Sequence, residues 1–288
     1  MRPGPARAHA LLEKYIGIED NPCAAERILA RIIRGEGWFI GDEIHEHASK
    51  WRNAFSERIR RFLNDKFNEG TFQVFALNSS NPEYIQGSCF VEPNDSPKVR
   101  DAKAKRSNTL KLYQAIKSRS DEDLETVCVR LLKLLGVDNP HPTPRSGDGG
   151  VDFYGCANFG FILKKQILPA GSERNMHVWF VGQAKHYEAT QVSTRDVREI
   201  VGSVQLARAK LFAGNIDPMK NFSARLCDPV FSIFVTTGRF SKDCIQLMKS
   251  VGVVPMDGPQ LGQFLADNNV GLINNQFCEN CFKEWLLG

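Results

Sequence analysis

No stretch of the 288 residues stays apolar long enough to form a bilayer-spanning helix, so no membrane anchor of that kind is expected. The first residues, MRPGPARAHALLEKYIG, are basic but have no long apolar centre, which argues against a secretory leader. Internal repeats and long low-complexity tracts are missing as well. Cysteine is sparse and scattered. Eight thiols in a chain too long to need covalent staples point to reduced cysteines and a cytoplasmic setting. Nor does charge lean heavily to one sign. A balance of 37 Lys and Arg against 33 Asp and Glu gives +4, which permits nucleic-acid binding without arguing for it, because charge must be clustered to matter.

What is there suits a packed globular protein. The chain is 42% hydrophobic and 24% charged, and its length fits two ordinary domains or one with an appendage. Residues 1–95 read as an α+β domain. AAERILARIIRG repeats Ile28, Leu29, Ile32 and Ile33 at helical spacing. GDEIHEHASKW suggests a second, shorter helix. RNAFSERIRRFLNDKF suggests a third, with Phe55, Ile59, Phe62 and Leu63 on one face. Arg52, Arg58, Arg60 and Arg61 cover much of the rest of that helix. GTFQVFALN and EYIQGSCFVEP then read as two strands joined by the turn-rich SSNP. Three helices followed by a hairpin is the order of a winged helix-turn-helix, whose third helix enters a major groove. Arg58 and Arg61 are the candidate DNA contacts there. A small helical domain used for protein contacts is the alternative.

Residues 96–118 are expected to be a linker running into a short helix. From Ser96 to Ser120 the chain has eight basic residues against the single acid Asp101. Two readings stand side by side: a solvated connector, or a basic strap that follows a phosphate backbone through Lys103, Lys105 and Arg106.

Residues 119–288 read as an α/β domain, a mixed sheet flanked by helices. SDEDLETVCVRLLKLLGV is an amphipathic helix capped by Ser120 and stopped at Gly136. Val151–Cys156, FGFILKKQIL and MHVWFVGQAKHY follow as strands. After them come the helix TRDVREIVGSVQLARAKLF, the apolar strand PVFSIFVTT, the helix SKDCIQLMKSVG, the short strand VVPMDG and a last helix, GPQLGQFLADN.

One carboxylate in this half is out of place. Asp152 sits among Val151, Phe153 and Tyr154, where aspartate is a poor strand former and costly to bury alone. Gln183 and Lys185, two apart on a strand, share a face and offer it partners. The set suits a hard cation with oxygen ligands: the Asp152 carboxylate, the Gln183 amide oxygen and the Ala184 carbonyl, with Glu125 in reach one turn into the preceding helix. Lys185 would hold the attacking water and offset developing charge. Asp148, in the glycine turn, reads as a turn residue.

These segments carry a resemblance. GDGGVDFYG, VREIVGSVQLARA, FVTTGRFSKDC, MDGPQLGQFL and above all VGQAKHY resemble the Mrr-type catalytic domain of the PD-(D/E)XK nuclease superfamily, in its Q-x-K form. The likeness runs from Ser118 to Asn269 and includes the leading helix with Leu124 and Glu125. It implies a restriction-endonuclease-like fold with Asp152 as metal-binding aspartate, Gln183 at the variant acidic position, Lys185 as catalytic lysine and Glu125 as auxiliary acid. It further implies a magnesium-dependent endonuclease, with manganese a substitute, that cuts double-stranded DNA in restriction or phage defence. Relatives often carry an N-terminal winged helix. Cutting both strands needs two sites, so a homo-oligomer is expected. The alternative is a non-catalytic or partner-activated DNA-binding subunit of a defence complex, which would require a partner protein.

Other signals weigh less. Cys278 and Cys281 have the spacing of half a zinc site, but no second pair completes it, so two packed thiols is the simpler reading. His45 and His47 read as surface residues, and His186 as facing away from Lys185. Thr236 and Thr237 end a strand where a phosphate contact and a plain strand end are equally consistent readings.

Overall fold

Helix, strand, helix, helix, strand, strand is the order in which the first half of the chain folds. The computed structural model describes residues 2–144, 150–158, 175–187, 191–211 and 217–288. It divides into two units, Met1–Asn108 and Thr109–Gly288.

In the first unit α1 (Pro5–Leu11), α2 (Ala25–Gly35) and α3 (Glu43–Glu69) pack on a three-stranded sheet. Its strands are β1 (Cys23–Ala24), β2 (Phe75–Leu77) and β3 (Tyr84–Gly87), all antiparallel, with β3 in the centre. Ile28, Leu29, Ile32, Ile33, Phe55, Ile59, Phe75 and Ile85 close the core. Two expectations are corrected here. The short second and longer third helices are one helix of 27 residues, since no glycine or proline interrupts Glu43–Glu69 and Ile44, Ala48, Phe55 and Ile59 keep one buried stripe. The third helix is instead α1, near the N-terminus, which periodicity had not revealed. His47 is not a surface residue: its ring stacks on Phe39 at 3.8 Å and lies 5.1 Å from Trp51.

The stretch expected as a linker is two helices, α4 (Pro97–Arg106) and α5 (Thr109–Lys117), on either side of the unit boundary. Ser96 caps α4 by accepting from the Val99 amide.

The second unit is built on a five-stranded sheet in the order β10-β8-β6-β5-β4. These strands are β4 (His141–Pro142), β5 (Phe153–Asn158), β6 (His177–Lys185), β8 (Val230–Thr236) and β10 (Val253–Met256). The first three are antiparallel, while β6, β8 and β10 are parallel, so the sheet is mixed as expected. Two-residue strands β7 (Gln191–Val192) and β9 (Arg239–Phe240) pair beside it. One sheet face packs on α5, α6 (Asp121–Leu134), α9 (Gly258–Asp267) and α10 (Glu279–Leu287). The other packs on α7 (Thr194–Arg208) and α8 (Lys242–Val251). Burying each large aliphatic or aromatic side chain on these faces contributes about 1.5–3 kcal/mol. Ser120 caps α6 and Ser193 opens α7 with a capping box to Asp196.

Strand β8 is less enclosed than its composition suggests. Phe231 is exposed, and full burial begins at Ile233. Beyond α9 the hairpin of β11 (Leu272–Ile273) and β12 (Gln276–Phe277) leads into α10, an end that the sequence reading stopped short of. Asp148 and the expected strand FGFILKKQIL lie outside the described residues.

Candidate active site

The centre of the site is fixed by a glycine. Gly182 pairs with Phe153 across β5 and β6, and a Cβ at Gly182 would lie 2.0 Å from the Phe153 ring. Only glycine lets that ring lie flat on the neighbouring strand. The pairing sets the register for the residue before β5. The Asp152 amide donates to the Gly182 carbonyl at 2.9 Å, and the Asp152 carbonyl accepts from the Thr143 amide at 3.0 Å. With its backbone held on both sides, the Asp152 side chain turns to β6, where Oδ2 accepts from the Ala184 amide at 2.7 Å. The partner of the out-of-place carboxylate is therefore first a backbone N–H. Of Ala184, it is the amide that meets Asp152.

Gln183 follows Gly182 and is 1% exposed. Its Oε1 is buried without a hydrogen-bond partner among the described residues. An orphaned buried acceptor costs about 1–3 kcal/mol, so the fold retains here an oxygen that calls for a donor or a cation. Lys185 is half-buried two residues on, at the end of β6, where its carbonyl accepts from the Thr237 amide at 3.2 Å. The pleat puts Gln183 and Lys185 on one face, with Ala184 on the other, against the α6 side.

Two helices bring further carboxylates. From α6, Glu125 shares an electrostatic neighbour with Asp152: the buried Cys128 thiol is pushed well up, first by burial and then by both carboxylates. From α7 comes a residue that the motif reading passed over. A Cβ on Gly150, whose φ is +81°, would lie 3.0 Å from Glu199 Oε1 and 3.2 Å from Ser203 Oγ. Burial raises the Tyr187 hydroxyl, Asp196 and Glu199 raise it further, and Lys185 opposes them, so these groups share the end of β6. Glu199 stands in the segment VREIVGSVQLARA, but no periodicity singles it out from other exposed helix acids. Among the described residues, no three His, Cys, Asp or Glu side chains come together closely enough to hold a metal. The donor set is thus one anchored carboxylate and one neutral orphaned oxygen, a pairing that suits a hard cation which keeps several waters.

The remaining candidates separate. His186 Nε2 lies 3.0 Å from the Lys117 carbonyl and Nδ1 3.8 Å from Asp121, which turns its ring from the Lys185 face. Thr236 and Thr237 are fully buried and engaged internally: Gly238 N donates to Thr236 Oγ1 at 3.0 Å, and Tyr187 N to Thr237 Oγ1 at 3.0 Å. The basic strap is engaged too. Lys103 bonds the Asp95 carboxylate at 2.7 Å and the Phe90 carbonyl at 2.8 Å, and Lys105 pairs with Asp101 at 2.7 Å. Their side chains are 18% and 19% exposed and Arg106 is half-buried, so these cations are engaged with neighbours on and before α4. Arg58 and Arg61 do stand on the exposed face of α3, Arg61 beside Glu57 at 2.8 Å.

Residues 116–213 match the family model Mrr_cat, described as a restriction endonuclease. This segment is similar to the restriction endonucleases that the family model describes. The matched segment contains Glu125, Asp152, Gln183, Lys185 and Glu199. No curated protein matches the chain. Solved structures similar to it include MspJI in complex with a 27-mer oligonucleotide, at 20% identity over 62% of this chain and 36% of that one, with a TM-score of 0.37. The DNA modification-dependent restriction endonuclease AspBHI matches at 19% identity over 63% and 39%, with a TM-score of 0.42. FokI bound to DNA matches at 12% identity over 97% and 47%, with a TM-score of 0.36. The chain therefore spans less than half the length of each. No helix among the described residues is long and apolar enough to cross a membrane.

Proposed function

We propose that the protein is a divalent-cation-dependent endonuclease that hydrolyses phosphodiester bonds of double-stranded DNA in restriction or anti-phage defence. The observation that carries this reading is the Asp152 carboxylate, anchored on the Ala184 amide of the strand that also bears the orphaned buried oxygen of Gln183 and Lys185. Asp152 and Gln183 are the residues to hold magnesium or manganese. When bound, the ion supplies Lewis-acid polarisation of the phosphate and a more acidic water.

The chain's own residues do the rest. Asp152 is pre-set by its backbone bonds and reorganises little when substrate arrives. Lys185 orients the attacking water and offsets charge that builds on the phosphoryl oxygens as the P–O bond to the leaving group breaks. Glu125 and Glu199 flank the site from opposite sheet faces as auxiliary carboxylates. The N-terminal unit binds the duplex as a winged helix, a role suited to its element order and to Arg58 and Arg61 on α3. Cleavage of both strands calls for two copies of the domain.

The test is cleavage of methylated and unmethylated plasmid with magnesium, with chelator, and with Asp152→Ala and Lys185→Ala. Cutting that requires the metal and both side chains supports the reading. Folded protein that binds DNA yet cuts neither plasmid replaces it with a DNA-binding subunit that depends on a partner.

A further inference from the structure

Cys278 and Cys281 have no part in that chemistry, yet their geometry is unlike that of the other thiols. Cys278 is the N-cap of α10, and its Sγ accepts from the Cys281 amide at 3.3 Å. The two sulfurs are 2.8 Å apart. Both residues are partly exposed, so reagents reach them. The helix body is fixed: Phe282 and Leu286 are buried in the core with Leu124 and Cys128. Arg130 donates to the Leu286 carbonyl at 3.0 Å and lies 5.7 Å from the centre of the Trp285 ring. The sulfurs are therefore held in contact rather than brought together by motion.

Their electrostatics differ as well. The Cys278 thiol is held below its usual range by its hydrogen bonds with the Cys281 thiol and amide, and Cys281 is pushed up by the contact with the Cys278 thiol. Burial instead drives Cys89 and Cys244 up to about 11. An accessible low-pKa thiol beside a second thiol is the arrangement that exchanges with disulfides. Among the described residues, no group of three metal-ligating side chains includes the pair.

We propose that Cys278 and Cys281 are a redox-active dithiol that closes reversibly to a disulfide by exchange with a low-molecular-weight disulfide such as oxidised glutathione. The Cys278 thiolate attacks one glutathione sulfur. The glutathione S–S bond breaks, and one glutathione leaves as its thiolate. Cys281 gives its proton to solvent and attacks the Cys278 sulfur of the mixed disulfide, expelling the second glutathione thiolate. Two electrons pass from the protein dithiol to the reagent, one S–S bond breaks and one forms. The sulfurs need close only from contact to the bonded length of about 2.05 Å.

The experiment equilibrates the full chain with a series of reduced-to-oxidised glutathione ratios. Acid quenching, iodoacetamide and peptide mass spectrometry then report each cysteine. The peptide bearing both residues should lose two hydrogens and take no alkyl group at the oxidising end, with full reversal by dithiothreitol, while Cys128 and Cys244 stay thiols. Cys281→Ser should trap glutathione on Cys278. Cys278→Ser, which keeps a good N-cap oxygen, should leave Cys281 unmodified. The proposal is overturned if both cysteines alkylate at every ratio, if the two variants behave alike, or if elemental analysis finds zinc that protects the pair.

Discussion

Oδ2 of Asp152 accepts a 2.7 Å hydrogen bond from the amide of Ala184, a bond that ties the candidate metal ligand to the strand bearing Gln183 and Lys185. Asp152→Asn keeps an oxygen that can accept from Ala184, so the fold should survive with a melting temperature within a few degrees of the parent. Cleavage should fall at least about a hundredfold, because the amide carries no charge for the cation. Plasmid cleavage beside a thermal melt separates the two. Parent-like cutting by the Asn variant would remove Asp152 from the chemistry.

Gln183 gives a prediction of opposite sign for stability and activity. Gln183→Leu removes the orphaned buried oxygen and should hold or raise stability, by up to about 1–3 kcal/mol in urea unfolding. Cleavage should be lost in the same variant. Magnesium should raise the melting temperature of the parent but not of the variant.

Glu199 is exposed on α7, so Glu199→Gln should leave unfolding free energy within about 0.5 kcal/mol. A role at the site predicts a fall in cleavage rate at unchanged DNA affinity. An unchanged rate would return Glu199 to the ordinary surface of its helix.

The basic residues divide by engagement. Arg58→Ala should weaken DNA binding and reduce the slope of log affinity against log salt by about 1. Lys103→Met should instead lower stability and leave that slope alone, since Lys103 is held by Asp95 and the Phe90 carbonyl. Filter binding across a salt series distinguishes them.

Acid should act through the same ion pair. The hydrogen bond from Lys103 holds the Asp95 carboxyl below its usual range, and Arg225 does the same for Asp228. A lowered folded pKa means that the stability these carboxylates contribute is present above the unfolded value near 4 and is lost as pH falls through the lower folded value. Urea midpoints should decline between about pH 5 and pH 2, and Asp95→Asn should flatten that decline for the first unit.

The second unit was legible in large part because its chemistry and its strands coincide. Gly182, Gln183 and Lys185 lie on one strand, and alternation alone assigns Gln183 and Lys185 a shared face. What alternation cannot supply is the third dimension. It gave no sign that the Ala184 amide would take Asp152, or that α7 would bring Glu199 to Gly150, because both contacts join segments far apart in sequence. The basic run shows the same limit. Eight cations in a row look free when counted along the chain, but Asp95 and Asp101 reach the two central lysines, and a run of charge says nothing of its partners. In the first unit, a helix boundary was read at Trp51, where only a change in surface character occurs and no residue breaks the backbone.

The closeness of the Phe153 ring to Gly182 has an effect that reaches past packing. A methyl group added at Gly182 would wedge two strands apart at the point from which Asp152 is aimed. Gly182→Ala would thus disable the site without removing a charge, a donor or a ligand. The candidate site thus depends on an atom that is absent, and the Phe153 ring occupies the space it leaves.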